Sequence, residues 1–325
     1  MISGAVPISL FLFYFCPNMR RLKQGIVIKS TGSHYKVLDD SGITHDCVIK
    51  GKFRVKGIRT TNPVAVGDHV SFDDEHNVIS ALTPRRNYII RKAPNLSRES
   101  QILAANIDQA YLMISIIMPE TPVEFIDRFL ATAEAYRIPA SVIINKTDLH
   151  GPVEKAAAEK LMAVYEPVGY KCYPASVKKN ENIEIIEESL KGKVTLISGN
   201  SGVGKSSLLN RLNPALKLKT GEISDYHEQG KHVTTFPEMH PLPAGGYVID
   251  TPGIRGFGVI DFARNEIYHF FPEIFRLSSE CRFYNCLHMN EPDCAVRTAV
   301  AVNKIEPWRY KSYVSMMLED ESKYR

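Results

Sequence analysis

Residues 199–206 read Gly-Asn-Ser-Gly-Val-Gly-Lys-Ser and decide the fold, because they match the phosphate-binding pattern G-x-x-x-x-G-K-[ST]. An apolar run at residues 194–198 precedes them and predicts a buried strand, while a helical pattern begins at Lys205. Glycines in such a loop let successive backbone N–H groups curl around phosphate oxygens, and the helix directs its positive end at the anion. The stretch therefore predicts a P-loop between a strand and a helix.

Particular side chains of the loop carry the expected chemistry. We expect the Lys205 ammonium to neutralise the β- and γ-phosphates and the Ser206 hydroxyl to bind Mg²⁺. Further along the chain, Asp250-Thr-Pro-Gly253 follows another apolar run, so that Asp250 is expected to hold the metal through a water and the Gly253 N–H to meet the γ-phosphate. The predicted loop contacts to the nucleotide are Gly199, Asn200, Ser201, Gly202, Val203, Gly204, Lys205, Ser206 and Ser207.

A second motif, Asn145-Lys146-Thr147-Asp148, lies earlier in the chain, after the apolar run 140–144. It resembles the guanine-specificity motif of the translation-factor-related GTPases, in which Asp148 would accept hydrogen bonds from the guanine N1 and amino groups and Asn145 would contact the other edge. Adenine lacks that donor pair and would leave a buried carboxylate unpaired, so such sites discriminate strongly. Taken alone, Asn-Lys-x-Asp could also be a simple turn.

Ser176 belongs to a further short motif, Ala-Ser-Val-Lys at residues 175–178, which follows the next predicted strand. It resembles the loop that backs the base in the same GTPases, although it departs from their commoner Ser-Ala-Lys pattern. We therefore count Ser176 among the expected nucleotide contacts.

The motifs occur in a rotated order. In ordinary P-loop GTPases the phosphate loop comes first, then Asp-x-x-Gly, then Asn-Lys-x-Asp, whereas here Asn145 precedes Gly199 and Gly199 precedes Asp250. The cyclic order is kept, and folds tolerate moved termini where the two chain ends lie close together. Alternating strand and helix patterns predict a parallel sheet with helices on both faces. The prediction is a circularly permuted α/β P-loop GTPase domain at residues 103–260.

The N-terminal part of the chain is basic and rich in short strands. Five β-rich runs separated by turn residues predict an OB-type barrel at residues 20–84, followed by a basic linker at 85–102. Residues 20–98 hold fifteen Lys or Arg and seven Asp or Glu, which indicates a polyanionic partner, with a solvated basic face as the alternative. Between the strands, Lys-Gly-Lys-Phe-Arg-Val-Lys-Gly-Ile-Arg at 50–59 is typical of nucleic-acid backbone binding.

The first nineteen residues, 1–19, carry no charged side chain. No Lys or Arg precedes their apolar run and prolines interrupt it, so neither a signal peptide nor a membrane span is expected. We interpret this extension as an over-extended reading frame or a disordered tail. The whole chain is 44% hydrophobic and 23% charged, which excludes a fibrous or wholly disordered protein.

Near the C-terminus, Cys281-x₄-Cys286-x-His288-x₅-Cys294 places three thiols and an imidazole within fourteen residues. Such a set matches a closed, tetrahedral, structural Zn²⁺ site. Free cysteines or disulfides are the alternatives, although a nucleotide-hydrolysing enzyme indicates a reducing compartment. We expect a helical zinc-binding module at residues 261–325.

A basic OB-type barrel, a rotated GTPase and this cysteine spacing resemble the ribosome-small-subunit-dependent GTPase A family over residues from about 22 to 320. The resemblance implies GTP hydrolysis that is slow alone and stimulated by the small ribosomal subunit, contacts with rRNA, and a role in late maturation of that subunit. It also implies a cytoplasmic protein that is a monomer.

The same resemblance assigns two residues of a switch segment that reads Gly-Lys-His-Val-Thr-Thr at residues 230–235. Thr234 falls where the family's Mg²⁺-binding threonine lies, and Thr235 is the alternative because Val233 replaces the first threonine of the family pattern. Ile254 occupies the position where many GTPases carry a glutamine that orients the attacking water, and its side chain cannot do this. His232 is the candidate for that role, so the expected catalytic residues are Lys205, Thr234 and His232. A solvated loop histidine is the alternative for His232.

Two other functions stay open at this point. One is a non-catalytic RNA-binding scaffold that uses guanine nucleotide as a conformational ligand. The other is a metabolic P-loop kinase or ATPase, which the Asn145–Asp148 motif disfavours.

Overall fold

The computed structural model of the chain describes residues 22–49, 63–92, 100–218, 237–250 and 263–318. Several predictions lie outside these residues, namely those on the extension 1–19, the basic stretch 50–59, His232, Thr234, Gly253 and Ile254. Within the described ranges, no helix is both long enough and apolar enough to cross a membrane.

The N-terminal described residues form a closed β-barrel. Its strands are β1 Leu22–Ser30, β2 His34–Asp39, β3 Thr44–Ile49, β4 His69–Asp73 and β5 Val78–Leu82. They pair in the order β1-β2-β3-β5-β4, with β3 and β5 parallel, and β1 also pairs with β4 to close the barrel. Inward-facing residues such as Val27, Tyr35 and Phe72 fill the interior. The predicted OB-type barrel is confirmed.

The segment predicted as a basic linker contains ordered strands. β6 Tyr88–Lys92 and β7 Ser100–Ala105 pair with each other in antiparallel fashion. The Arg85 guanidinium is buried and donates two hydrogen bonds, of 2.7 and 2.6 Å, to the fully buried carboxylate of Asp68. A buried charge must be paired, so this arginine serves the barrel rather than a solvated connection. Composition alone pointed to a linker because the acidic partner lies seventeen residues earlier.

The strands that follow the barrel and the β6–β7 pair form a largely parallel sheet. Its strands are β8 Gln109–Ser115, β9 Ala140–Asn145, β10 Lys171–Pro174, β11 Val194–Ser198, β12 Glu238–Pro241 and β13 Tyr247–Asp250. The order is β10-β9-β8-β11-β13-β12, and only β12 in this part of the described sheet runs antiparallel to its neighbour. The carboxyl ends of the parallel strands therefore meet at one edge, where ligands of such folds bind.

Helices cover both faces of this sheet. They are α1 Val123–Ala135, α2 Pro152–Val168, α3 Ile183–Leu190 and α4 Lys205–Leu212. One apolar cluster packs Phe129 and Leu161 of α1 and α2 against Ile144, and another packs Ile186 and Leu208 of α3 and α4 against the opposite face. The alternating pattern of strands and helices expected from the sequence is confirmed.

The barrel and the parallel sheet are continuous. Lys29 of β1 pairs with Glu238 of β12, and the Lys29 ammonium lies 3.0 Å from a Glu238 carboxylate oxygen. This contact joins the two sets of strands into one sheet among the described residues. No strand is predicted from the sequence at β12, because a four-residue strand containing a proline carries little periodic signal.

The C-terminal module is helical. It consists of a 3₁₀ helix at Arg264–Phe270 and the α-helices α5 Pro272–Ser278, α6 Ala295–Ala301 and α7 Pro307–Leu318. The fully buried Arg309 of α7 donates hydrogen bonds to Asp127 of α1, at 2.8 Å, and to Glu273 of α5, at 2.6 and 3.1 Å. This buried charge network fixes the module against the α/β body.

Candidate nucleotide and metal sites

The phosphate loop connects β11 directly to α4. Its last glycine, Gly204, has φ of 106°, a left-handed conformation that glycine adopts readily. A Cβ atom at this position would overlap the amide nitrogen of Asn145. Gly204 therefore permits both the turn into the helix and the close approach of another loop.

Lys205 is the first residue of α4, and its side chain turns back over the loop. Its ammonium donates hydrogen bonds to the carbonyls of Gly199, at 2.7 Å, and Asn200, at 2.8 Å. Burial lowers the pKa of Lys205, whereas the nearby Asp250 carboxylate raises it. Ser206 and Ser207 follow in the first helical turn and are half-buried, as Asn200 is in the loop; Ser201 and Gly202 are exposed and Val203 is buried.

Asn145, the last residue of β9, ties two loops together. Its side-chain oxygen accepts a hydrogen bond from the Val177 N–H at 3.1 Å, and its amide donates one to the Val203 carbonyl at 2.7 Å. Val177 belongs to the loop predicted to back the base, and Val203 belongs to the phosphate loop. One buried amide therefore fixes the distance between the two loops.

The Asp148 carboxylate is oriented by a buried neighbour. Ser176 donates a hydrogen bond of 2.6 Å to one carboxylate oxygen of Asp148, and its hydroxyl accepts one of 3.1 Å from the Lys179 N–H. The Thr147 N–H bonds to the Ala175 carbonyl at 3.1 Å, which holds the two loops side by side. The arrangement leaves an oriented acceptor at the end of β9, as recognition of paired donors requires.

Lys146 stands between these residues with φ of 68°, and its ammonium donates a hydrogen bond to the Met118 carbonyl. Burial lowers the pKa of Lys146, and the Asp148 charge acts in the opposite direction. The loop after β8 thus joins the site through Met118. No sequence pattern predicts this contact, because Met118 takes part only through its backbone carbonyl.

Asp250 ends β13 at the same edge of the sheet. It is paired with Ile197 of β11, two residues before the phosphate loop begins. The structure thus brings Asn145, Asp148, Lys205 and Asp250 to one edge, although they are distant in sequence. Sequence reasoning also missed Glu181, whose backbone forms a two-way bridge with Ser176 and fixes the loop behind Asp148.

The cysteine and histidine side chains near the C-terminus form a compact cluster. The candidate ligand atoms of Cys281, Cys286, His288 and Cys294 lie within 4.8 Å of one another. The His288 Nδ1 atom is 3.5 Å from the sulfur atoms of both Cys281 and Cys294. Burial raises the pKa of Cys286 to about 12 and lowers that of His288. Three sulfurs and one nitrogen at this spacing fit a tetrahedral metal site, and metal binding there displaces thiol protons.

Hydrogen bonds from neighbouring side chains shape the loop that presents this cluster. The Glu291 carboxylate accepts hydrogen bonds from the N–H groups of Leu287, at 2.8 Å, and Met289, at 2.9 Å. The Tyr310 hydroxyl donates one of 2.6 Å to the His288 carbonyl. Such contacts orient the ligands of a metal site. The spacing of the cysteines predicted the cluster, but it carries no signal for Glu291 or Tyr310.

The fold, together with the loops that meet at the carboxyl edge of the parallel sheet, defines a P-loop nucleotide-binding protein of the circularly permuted GTPase class. Residues 82–260 match the family model for the RsgA GTPase, and residues 24–80 match that for the RsgA N-terminal domain. The chain therefore belongs to the RsgA GTPase family, and it is a GTPase.

Individual relatives agree with this assignment. The Small ribosomal subunit biogenesis GTPase RsgA of Bacteroides fragilis is 52% identical over 93% of this chain and 99% of the relative. That of Christiangramia forsetii is 48% identical over 93% of this chain and 98% of the relative. The crystal structure of YjeQ from Thermotoga maritima matches with a TM-score of 0.74 and 33% identity, over 91% of this chain and 97% of that one. YloQ, described as a circularly permuted GTPase, matches with a TM-score of 0.71 and 30% identity, over 94% and 98%.

Proposed function

We propose that this chain hydrolyses GTP to GDP and phosphate on the small ribosomal subunit and assists the late maturation of that subunit. The observation that carries the proposal is the Asn145 side chain, which bonds to the loop behind the base and to the phosphate loop at once. One nucleotide can therefore be held at both ends in a single pocket. The names of the relatives supply the partner.

The base end of the pocket selects guanine. Asp148, oriented by Ser176, accepts hydrogen bonds from the guanine N1 and amino groups, while Asn145 contacts the other edge. Lys146 and Thr147 complete this wall. An adenine in the same place would leave the Asp148 carboxylate without donors, which is the physical basis of the selectivity.

The phosphate end stabilises the charge that develops during transfer. The loop N–H groups from Gly199 to Gly204 and the Lys205 ammonium bind the phosphate oxygens. Ser206, Thr234 and, through a water, Asp250 would hold Mg²⁺, which offsets phosphoryl charge when bound. A hydroxyl and a carboxylate are the hard oxygen donors that this ion prefers. The Gly253 N–H meets the γ-phosphate.

The attacking water needs a group to orient it, and Ile254 cannot serve. By resemblance to the family, His232 takes this role. Single-turnover hydrolysis on small subunits should fall by about 100-fold in His232→Ala, within the range of general acid–base and positioning effects. An unchanged rate excludes His232 from the reaction.

The C-terminal cluster holds one structural Zn²⁺ through Cys281, Cys286, His288 and Cys294. Four protein ligands leave no position for a catalytic water, so we assign the metal no part in hydrolysis. The buried hydrogen bond from Arg309 to Asp127 then holds the folded module against α1.

The barrel faces rRNA, which agrees with the excess of basic residues in the N-terminal part of the chain. The chain then divides into an N-terminal extension at 1–19, the barrel at 20–84, a connecting segment at 85–102, the GTPase domain at 103–260 and the zinc module at 261–325. The protein acts in the cytoplasm as a monomer bound to the subunit, without a membrane.

Two measurements test the proposal. Purified small subunits should raise the GTP turnover of the full-length protein by orders of magnitude. A protein that binds subunits without any rise is a scaffold instead. Asp148→Asn should lose GTP affinity and gain affinity for xanthosine triphosphate, because an amide can donate to the carbonyl that replaces the guanine amino group. Equal binding of ATP and GTP by the unaltered protein would reject the guanine assignment.

A further inference from the structure

Three directly paired residues form a row that runs from the barrel to the nucleotide site. Lys29 of β1 is paired with Glu238 of β12, and Glu238 is paired with Asp250 of β13. Both pairs are antiparallel, and directly opposite residues in such pairs project their side chains from the same face of the sheet. Neighbouring strands lie about 4.8 Å apart, so the Lys29 backbone is about 10 Å from that of Asp250.

This row contains two carboxylates side by side. Like charges directly opposite each other on a sheet are unfavourable, and Asp250 is the carboxylate that points to the magnesium end in the proposed function. The Lys29 ammonium lies 3.0 Å from a Glu238 oxygen and neutralises the outer carboxylate. The barrel therefore contributes a positive charge beside this pair of carboxylates.

The Lys29–Glu238 pair is accessible to other ions. The two side chains are 36% and 40% exposed, so water and salt weaken their attraction. A phosphate group placed on the barrel can compete with Glu238 for the lysine. Lys29 belongs to the basic N-terminal part of the chain that is proposed to face rRNA.

We propose that Lys29 is a positioning residue of the nucleotide site, which sets the charge beside Asp250 by neutralising Glu238, and that RNA phosphates on the barrel compete with Glu238 for it. The inference rests on the proposed function in two respects, the place of Asp250 at the magnesium end and the contact of the barrel with RNA. When Lys29 turns to a phosphate, Glu238 regains an uncompensated negative charge beside Asp250. RNA binding to the barrel thereby changes the charge at the metal end of the site.

The direction of the effect follows from Coulomb's law. One uncompensated negative charge on the strand next to Asp250, screened by water and by salt, strengthens Mg²⁺ binding by about threefold. Loss of Glu238 alone leaves the Lys29 charge unopposed and weakens Mg²⁺ binding by a similar factor. Loss of both charges restores the starting state.

The test is a Mg²⁺ titration of the full-length protein without ribosomes, followed by the fluorescence of a labelled GDP. The half-saturating Mg²⁺ concentration should be about threefold lower in Lys29→Gln, about threefold higher in Glu238→Gln, and close to that of the unaltered protein in the double variant. Lys29→Arg keeps the charge and should behave like the unaltered protein. Lys36→Gln is the matched control, because Lys36 pairs with Asp46 at 3.6 Å within the barrel, between β2 and β3. A merely structural role would shift both single variants in the same direction.

A second arm adds small ribosomal subunits. They should lower the half-saturating Mg²⁺ concentration of the unaltered protein to the value of Lys29→Gln and leave that variant unchanged. Equal Mg²⁺ titrations of the unaltered protein and Lys29→Gln without ribosomes overturn the inference, even if subunits stimulate hydrolysis. If the four-variant pattern appears but subunits neither bind nor stimulate, the local electrostatic claim stands, while the competition by RNA and the proposed function both fail.

Discussion

The nucleotide site and the cysteine cluster are built in opposite ways. The nucleotide site gathers loops from three distant parts of the chain, and Asn145 reaches a carbonyl 58 residues away. The cysteine cluster draws all its candidate ligands from residues 281–294. The first site therefore exists only when the whole α/β sheet is folded, whereas the second depends on a metal to hold a short segment. Perturbing the two sites should have different consequences.

The largest effect is expected from removing a metal ligand. Structural zinc contributes about 10–16 kcal/mol in small zinc-binding peptides, so Cys286→Ala should unfold the C-terminal module. Zinc content should fall from one ion per chain to none, and proteases should cleave after residue 263 while guanine nucleotide still binds. Cys172→Ala, which alters a buried thiol of the α/β domain, is the control and should keep its zinc. A Cys286→Ala protein with full zinc content would contradict the assignment.

The second largest effect is expected where the C-terminal module contacts the α/β domain. Arg309→Ala leaves the buried Asp127 carboxylate without its cation, and breaking a buried ion pair costs about 3–5 kcal/mol. Denaturant unfolding should report this loss of stability. Arg282→Ala removes an exposed pair with Asp293, both partners being 65% exposed, and should cost less than about 1 kcal/mol. Similar losses in the two variants would show that the buried network does not fix the module.

A third change separates backbone strain from the contact between loops. Gly204→Ala places a methyl group against the Asn145 amide and should weaken guanine nucleotide binding on the order of 100-fold, or about 2.7 kcal/mol. Gly245→Ala is matched in backbone conformation, with φ of 92°, but its added methyl group meets nothing within 4 Å. It should lose about 1–2 kcal/mol of stability and keep its nucleotide affinity. Isothermal titration with GDP decides, and equal affinities in the two variants would count against the loop contact.

The smallest effect concerns an exposed hydrogen bond at the edge of the nucleotide site. The Arg211 guanidinium of α4 donates a hydrogen bond of 2.7 Å to the Asn180 side chain, which follows the loop behind the base. The contact is exposed, so Arg211→Ala should weaken GDP binding by no more than about fivefold. Arg276→Ala, on α5 of the C-terminal module, is the control with no expected change in affinity. A 100-fold loss of GDP affinity in Arg211→Ala would mean that this exposed contact contributes as much to binding as the loop contact at Asn145.

In both regions the sequence predicts the local patterns but not the distant partners that fix them. The phosphate loop, its strand and helix, and the cysteine spacing are local patterns, and the structure has β11 and α4 where those patterns placed them. The partners that fix their geometry are not local. Asp127 and Arg309 stand 182 residues apart, and neither residue is marked by periodicity. Strand β12, which joins the sheet to the barrel, is too short to give a periodic signal.

The central claim is that one pocket binds guanine at Asp148 and triphosphate at Lys205. A crystal structure of the full-length protein with a non-hydrolysable GTP analogue and Mg²⁺ tests it most directly. We expect one analogue whose N1 and amino groups lie about 3 Å from the Asp148 carboxylate and whose β- and γ-phosphate oxygens lie about 3 Å from the Lys205 ammonium. An analogue bound through its phosphates with its base turned away from Asp148 would contradict the claim.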